Sequence, residues 1–260
     1  MSIRLVAPEL RSALDNIPSL APSAEALCAM REASRQMLEM SPPPICLDVN
    51  VAEREVSAQA GHAVRVLIYT PAGTAGPLPA FLHIHGGGYI VGMPEMNDER
   101  NRRLARDLDC VVVSVDYRLA PEVSHPGALE DCYAVLKWMH DCASEISIDA
   151  GRIAIGGESA GGGLAAVLAL YARNKGEVAV CFQLLIYPML DDRTGGSADR
   201  GEMAGEFVWT PELNQFGWQS LIGDGEQKHV PHAAAARATD LAGLPATYIA
   251  VGALDLFVEE

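Results

Sequence analysis

Ser159 stands midway between Gly157 and Gly161, just after the apolar run Ile153-Ala154-Ile155 and just before an alanine- and leucine-rich stretch reaching about Tyr171. That order reads as strand, sharp turn, helix. A serine on such a turn sits in strained backbone with its hydroxyl held out at the end of a sheet. Glycine two places either side lets strand and helix approach without a Cβ clash. The helix N-terminus behind the serine favours developing negative charge. A serine used as a nucleophile also needs a base, an acid to orient that base, and donors for the oxyanion of a tetrahedral intermediate. Donors are available upstream. The run His83-Ile84-His85-Gly86-Gly87-Gly88-Tyr89 closes an apolar segment, and its consecutive glycines leave backbone N–H groups free to face a substrate oxygen.

Both stretches need a sheet to hold them. The chain is helical in character to about residue 45, with Ser23 as a cap and Pro42-Pro43-Pro44 as the stop. From Leu47 the period changes to two, through Val49 and Val51, and a strand follows over 62–69. Further strands are expected at 79–85, 111–117, 152–156, 178–187 and 246–252. Helices are expected at about 96–108, capped by Asn97, and at 127–142 and 160–174. Alternating elements with continuous apolar strands indicate a single α/β domain over 1–260, its sheet mostly parallel and covered by helices on both faces. Residues 191–232 break the rhythm and carry Phe207, Trp209, Phe216 and Trp218. This aromatic excursion reads as a lid over a pocket, and ordinary core packing is the plainer alternative.

Composition narrows the field. With 49% hydrophobic and 20% charged residues the chain can bury a full core, and its net charge of -15 argues against nucleic acid and anionic membrane surfaces as partners. Six scattered cysteines without a C-x-x-C pair read as small buried hydrophobes in a reducing compartment, not as disulfides or a metal site. No charged-then-apolar leader opens the sequence, and no apolar run approaches the ~20 residues of a membrane span, so the expected location is cytoplasmic.

Three motifs in order carry a family resemblance: His85-Gly86-Gly87-Gly88, then Asp116-Tyr117-Arg118-Leu119-Ala120-Pro121-Glu122, then Gly157-Glu158-Ser159-Ala160-Gly161-Gly162. They resemble the bacterial hormone-sensitive-lipase-type esterases of the α/β-hydrolase fold, and the likeness continues through Leu185-Ile186-Tyr187-Pro188 to the last strand. The resemblance implies a serine carboxylesterase acting on small-molecule esters of short to medium acyl chain, with no metal or organic cofactor. It assigns Ser159 as nucleophile and the N–H groups of Gly87, Gly88 and Ala160 as oxyanion donors. Asp255 becomes the acid, with Glu259 a weaker substitute, although Asp255-Leu256-Phe257 stands where the family usually has Asp-Pro-Leu. Residues 1–45 and 191–232 would form a small helical cap, with Tyr89 and Trp209 lining the substrate pocket.

The base is the discordant element. In this fold the histidine follows the acid, and none of the seven histidines follows Asp255. His85 belongs to the glycine loop. The expectation is that a crossover helix, a final strand and the histidine loop of the relatives are absent here. Ser159 would then lack an activating base, and the last strand would be an uncovered edge able to pair with a second copy. Two rivals stay open: a non-catalytic ligand-binding protein on the same scaffold, and an amide or lactone hydrolase.

Overall fold

The strand Val111–Val115 buries all five of its side chains. Only a strand flanked on both edges and both faces can do that. The computed structural model, which describes residues 3–14, 22–40, 48–58, 61–196, 204–223 and 232–260, places it inside a seven-stranded sheet. In chain order the strands are β1 (Val49–Ser57), β2 (Ala63–Pro71), β3 (Leu78–Ile84), β4 (Val111–Val115), β5 (Ile148–Glu158), β6 (Phe182–Ile186) and β7 (Ala246–Ala250). Their spatial order is β1-β2-β4-β3-β5-β6-β7. β2 runs antiparallel to both β1 and β4, and every later pairing is parallel.

Two apolar clusters sit on opposite faces, as alternation along β4 shows. Val111, Val113 and Val115 join the larger cluster, while Val112 joins the smaller one with Tyr69 and Ala105. Helix α3 (Asp98–Leu108) covers the smaller cluster. Helices α4 (Gly127–Asp141) and α5 (Ala160–Lys175) cover the larger. Every residue of α5 from Ala160 to Leu170 is buried, so it is a core helix, apolar all round. No helix of the described residues is long and apolar enough to cross a membrane.

The structure revises several expectations. β1 buries only Val49 and Val56, because as an edge strand it is wetted on both faces and Val51 is exposed. β5 begins at Ile148, and β6 begins at Phe182 because residues 178–181 lie outside the ladder. Of the cysteines, Cys110 and Cys132 are buried as expected; Cys28 and Cys181 are exposed, and Cys46 lies outside the described residues.

The N-terminal segment contributes α1 (Pro8–Leu14) and α2 (Ala24–Met40). Ser23 Oγ accepts from Ala26 N at 3.0 Å, which makes it the cap of α2. Helix α2 buries Leu27 and is tied down by Arg31, whose guanidinium donates to the carbonyls of Ile90 and Ala120 at 2.8 Å each and pairs with Glu122. From the excursion comes α6 (Pro211–Ile222), capped by Thr210 and opened by proline, with Trp218 buried against Tyr89.

Candidate active site

β3 and β5 are adjacent and parallel, with Ile84 level with Gly157, so the two glycine-rich stretches leave the sheet side by side at one end. Ser159 turns the chain from β5 into α5 with φ 55° and ψ -122°, a conformation that L-residues rarely adopt. Backbone bonds fix it there: Ser159 N donates to Ile186 O at 2.9 Å, and Ser159 O accepts from Gly163 N and Met189 N at 3.0 Å each. The flanking glycines are required by contact. A Cβ on Gly157 or Gly161 would come within 2.1 or 2.0 Å of Ile84 O.

The loop after β3 passes directly over this turn. A Cβ on Gly86 would stand 2.9 Å from Glu158 O and 3.4 Å from Ser159 Cβ. Among the described residues, the N–H groups of Gly87 and Gly88 donate to no acceptor. Ala160 opens α5, where the first N–H groups have no intrahelical acceptor. Trp209 overhangs the loop: a Cβ on Gly88 would meet its ring at 2.2 Å, and its indole N–H donates to Asn214 Oδ1 at 3.1 Å.

Asp255 lies at the same end of the sheet. β7 is the neighbour of β6, and β6 supplies the Ile186 carbonyl that holds Ser159. Burial raises the Asp255 carboxyl, against a hydrogen bond to Oδ1 from Phe257 N at 2.9 Å.

A profile described as the alpha/beta hydrolase fold matches residues 81–260. The chain belongs to the α/β-hydrolase family. It is 36% identical over 181 residues to carboxylesterase NlhH of Mycobacterium tuberculosis, covering 70% of this chain and 56% of that protein. It is 34% identical over 253 residues to esterase LipI of the same organism, covering 95% and 77%. Among solved structures, a bacterial heroin esterase superposes with a TM-score of 0.90 at 37% identity, over 99% of this chain and 82% of that one. The chain therefore spans little more than half the length of NlhH.

Within this α/β-hydrolase the expected residues take unequal positions. Tyr89 is 2% exposed, with its hydroxyl donating to Met189 O at 3.2 Å and its ring tilted against Trp218. It forms the wall behind the loop and has no free surface with which to touch substrate. His85 is buried too, its ring stacked on Tyr117 at 4.2 Å and its Nδ1 2.8 Å from Gly86 O. Burial pushes its imidazole down to about 4, so the ring is neutral and braces the loop. Other described histidines are also engaged: His62 with Asp131, His83 with Ser114 and Glu158, His140 with Asp141, and His232 edge-on to Tyr171. His229 lies outside the described residues.

Glu158 reveals what sequence reasoning missed. Its carboxylate, 7% exposed, accepts from Asn97 Nδ2 at 2.6 Å and Arg100 at 2.9 Å, with His83 Nε2 at 3.4 Å. Burial pushes this carboxyl up, yet His83, Arg100 and Asn97 together outweigh it and leave it below the ordinary range. Asn97 was expected to cap α3 but makes no side-chain cap bond; its carboxamide is turned to Glu158 instead, to which Nδ2 donates. The signal was present in the sequence: an acid inside an apolar run requires a partner, and Asn97 and Arg100 are spaced to share one helical face.

Proposed function

We propose that this α/β-hydrolase is a serine carboxylesterase for small esters of short to medium acyl chain. Ser159 is the nucleophile and Asp255 the acid, with the N–H groups of Gly87, Gly88 and Ala160 as oxyanion donors. One observation carries the reading: two unpaired glycine N–H groups lie on the loop that covers a serine held at φ 55°. Donors already fixed in place stabilise an oxyanion without reorganisation, which is commonly the largest single contribution to acyl transfer. The carboxylesterase names of the relatives support the same class. Trp209 above Gly88, with α2 and α6 behind it, supports a compact cap from the segments 1–45 and 191–232, and hence a short acyl group. The free thiols support a reducing, cytoplasmic setting.

Five of the six described histidines are engaged with other partners, so on this reading none of those five is the proton acceptor for Ser159. Added imidazole can supply an acceptor. The rate of p-nitrophenyl acetate hydrolysis should rise with imidazole well beyond the rate of the Ser159→Ala variant in the same buffer, by about tenfold or more. Equal rates for the two proteins at every imidazole concentration would sink the serine mechanism.

A further inference from the structure

A cavity of ≈ 560 Å³ opens between the last turns of α5, the loop after β6 and residues 232–240, and none of the residues assigned to the Ser159 site lines it. Its size suits a small organic molecule rather than a bare ion. Three of its described lining residues are arginines, Arg173, Arg193 and Arg237, and Asp240 is the one carboxylate among them. Leu170 and three alanines add apolar wall.

The arginines are held in place by their own partners. Arg193 Nε donates to Asp191 Oδ1 at 2.7 Å, and Arg237 Nη2 donates to Asp192 Oδ2 at 2.7 Å. In both bridges the acid is the more deeply buried member. The side chains of Asp191 and Asp192 are 18% and 6% exposed, against 62% and 25% for Arg193 and Arg237. Neither aspartate lines the cavity, so a ligand there meets guanidinium first. On both arginines Nη1 donates to no described residue. Arg173 has no carboxylate partner at all among the described residues. Its donors go to the carbonyls of Asp240 and Ala242 and to the Asn174 side chain, which orient it and leave its charge uncompensated.

Three features oppose an anion here. Asp240 carries a negative charge, although its Oδ1 is already engaged by Ala242 N at 2.9 Å. The C-terminal carbonyls of α5 are partly negative, and Arg173 and Lys175 in its last turn offset them. The net charge of -15 belongs to the whole chain, and its remote members are screened beyond about 10 Å near 0.1 M salt. His232 contributes nothing to either side, since burial and then the Arg173 charge lower its imidazole. At contact distance three guanidiniums prevail, because each presents paired N–H donors in the plane of an oxyanion.

We infer that this cavity binds a small organic oxyanion, a carboxylate or a phosphate ester. Nη1 of Arg193 and of Arg237 donates to it, Arg173 adds charge, and its short carbon body lies against Leu170 and the alanines. Calorimetric titration of the whole chain with succinate and glycerol 3-phosphate, and with their neutral counterparts succinamide and glycerol, tests this. At least one anion should saturate one site per chain, about tenfold or more tighter than its neutral counterpart, and should weaken as sodium chloride is added. Succinate alone would assign a carboxylate, and glycerol 3-phosphate alone a phosphate ester. Arg193→Gln, at an exposed position, and Arg173→Gln should each weaken the anion about fivefold with circular dichroism unchanged. Arg35→Gln removes the same charge from the exposed face of α2 and should leave affinity as it was. An anion held instead by the N–H groups of Gly87 and Gly88 would be indifferent to Arg193 and Arg173, so parent-like affinity in both variants would overturn the inference. So would an equal loss in the Arg35 variant, neutral counterparts that bind as tightly, or no saturable anion binding below about 10 mM.

Discussion

The buried imidazole of His85 makes stability depend on pH in a way that can be signed. Its folded value of about 4 lies below the ordinary 6.5, so between those values the unfolded chain binds the proton and the folded chain does not. Stability therefore falls as pH drops through that window. The contribution lost between about pH 7 and pH 5 is roughly 2 kcal/mol. Glu260 works in the opposite sense, since burial raises its carboxyl to about 7 and its stabilising effect is lost as pH rises. Comparing His85→Asn with the parent by urea unfolding at both pH values isolates the histidine; an identical pH slope in the two proteins would refute it. At this same scale the sequence was readable where backbone geometry dictates residue type. Gly157, Gly161 and the triple glycine could be picked out because a Cβ at any of them would come within 2.0–2.9 Å of a neighbour. Asn97 and Arg100 were harder to find: the acid inside an apolar run called for a partner, but nothing near them in the chain tied them to Glu158. Glu158→Gln should cost about 1–3 kcal/mol, as Arg100 and His83 lose their carboxylate, and should lower kcat more than it changes KM. A parent-like melting point and kcat would count against the network as support for the turn.

Elements with continuous apolar runs were recognisable in sequence because burial on both faces leaves one kind of pattern, as in β4 and α5. Edge elements were not. β1 alternates in sequence only at its start, and its exposure follows from its place beside β2, which no local pattern encodes. The docking of α2 was equally hidden, since a helix that buries one leucine must be held by polar contacts instead. Arg31 provides them: its side chain is 18% exposed and satisfies two carbonyls and a carboxylate, one of the carbonyls lying two residues past Gly88. Arg31→Ala should leave the Ile90 and Ala120 carbonyls without their donor and cost about 1–3 kcal/mol. Arg31→Lys should recover only part of this, because an ammonium cannot span the same fork of acceptors. Hydrogen exchange should then show faster opening of residues 24–40 with the central strands unchanged. Protection of that helix equal to the parent's would show that Leu27 alone suffices to dock it.

The sheet is asymmetric across the whole molecule. Its β1 end is a long polar strand, while its β7 end carries Tyr248 and Ile249, 55% and 53% exposed, followed by Val251 at 40%. No described strand pairs with the outer edge of β7, so a row of backbone donors and acceptors borders apolar side chains there. A second copy adding its own β7 is the pairing such an edge invites. Against it stands a net charge of -15 on each copy, which repels at low ionic strength. The two effects differ in their response to salt. Near 0.1 M salt the repulsion is screened beyond about 10 Å, while strand pairing and apolar contact are not weakened. Light scattering should therefore show association that increases with protein concentration and with added sodium chloride. Ile249→Lys, which puts a charge on the edge without touching the core, should abolish that association and leave the melting temperature unchanged. A protein that stays monomeric at high concentration in salt would remove the edge as an interface. Association that weakens as salt rises would assign it to charged surfaces elsewhere.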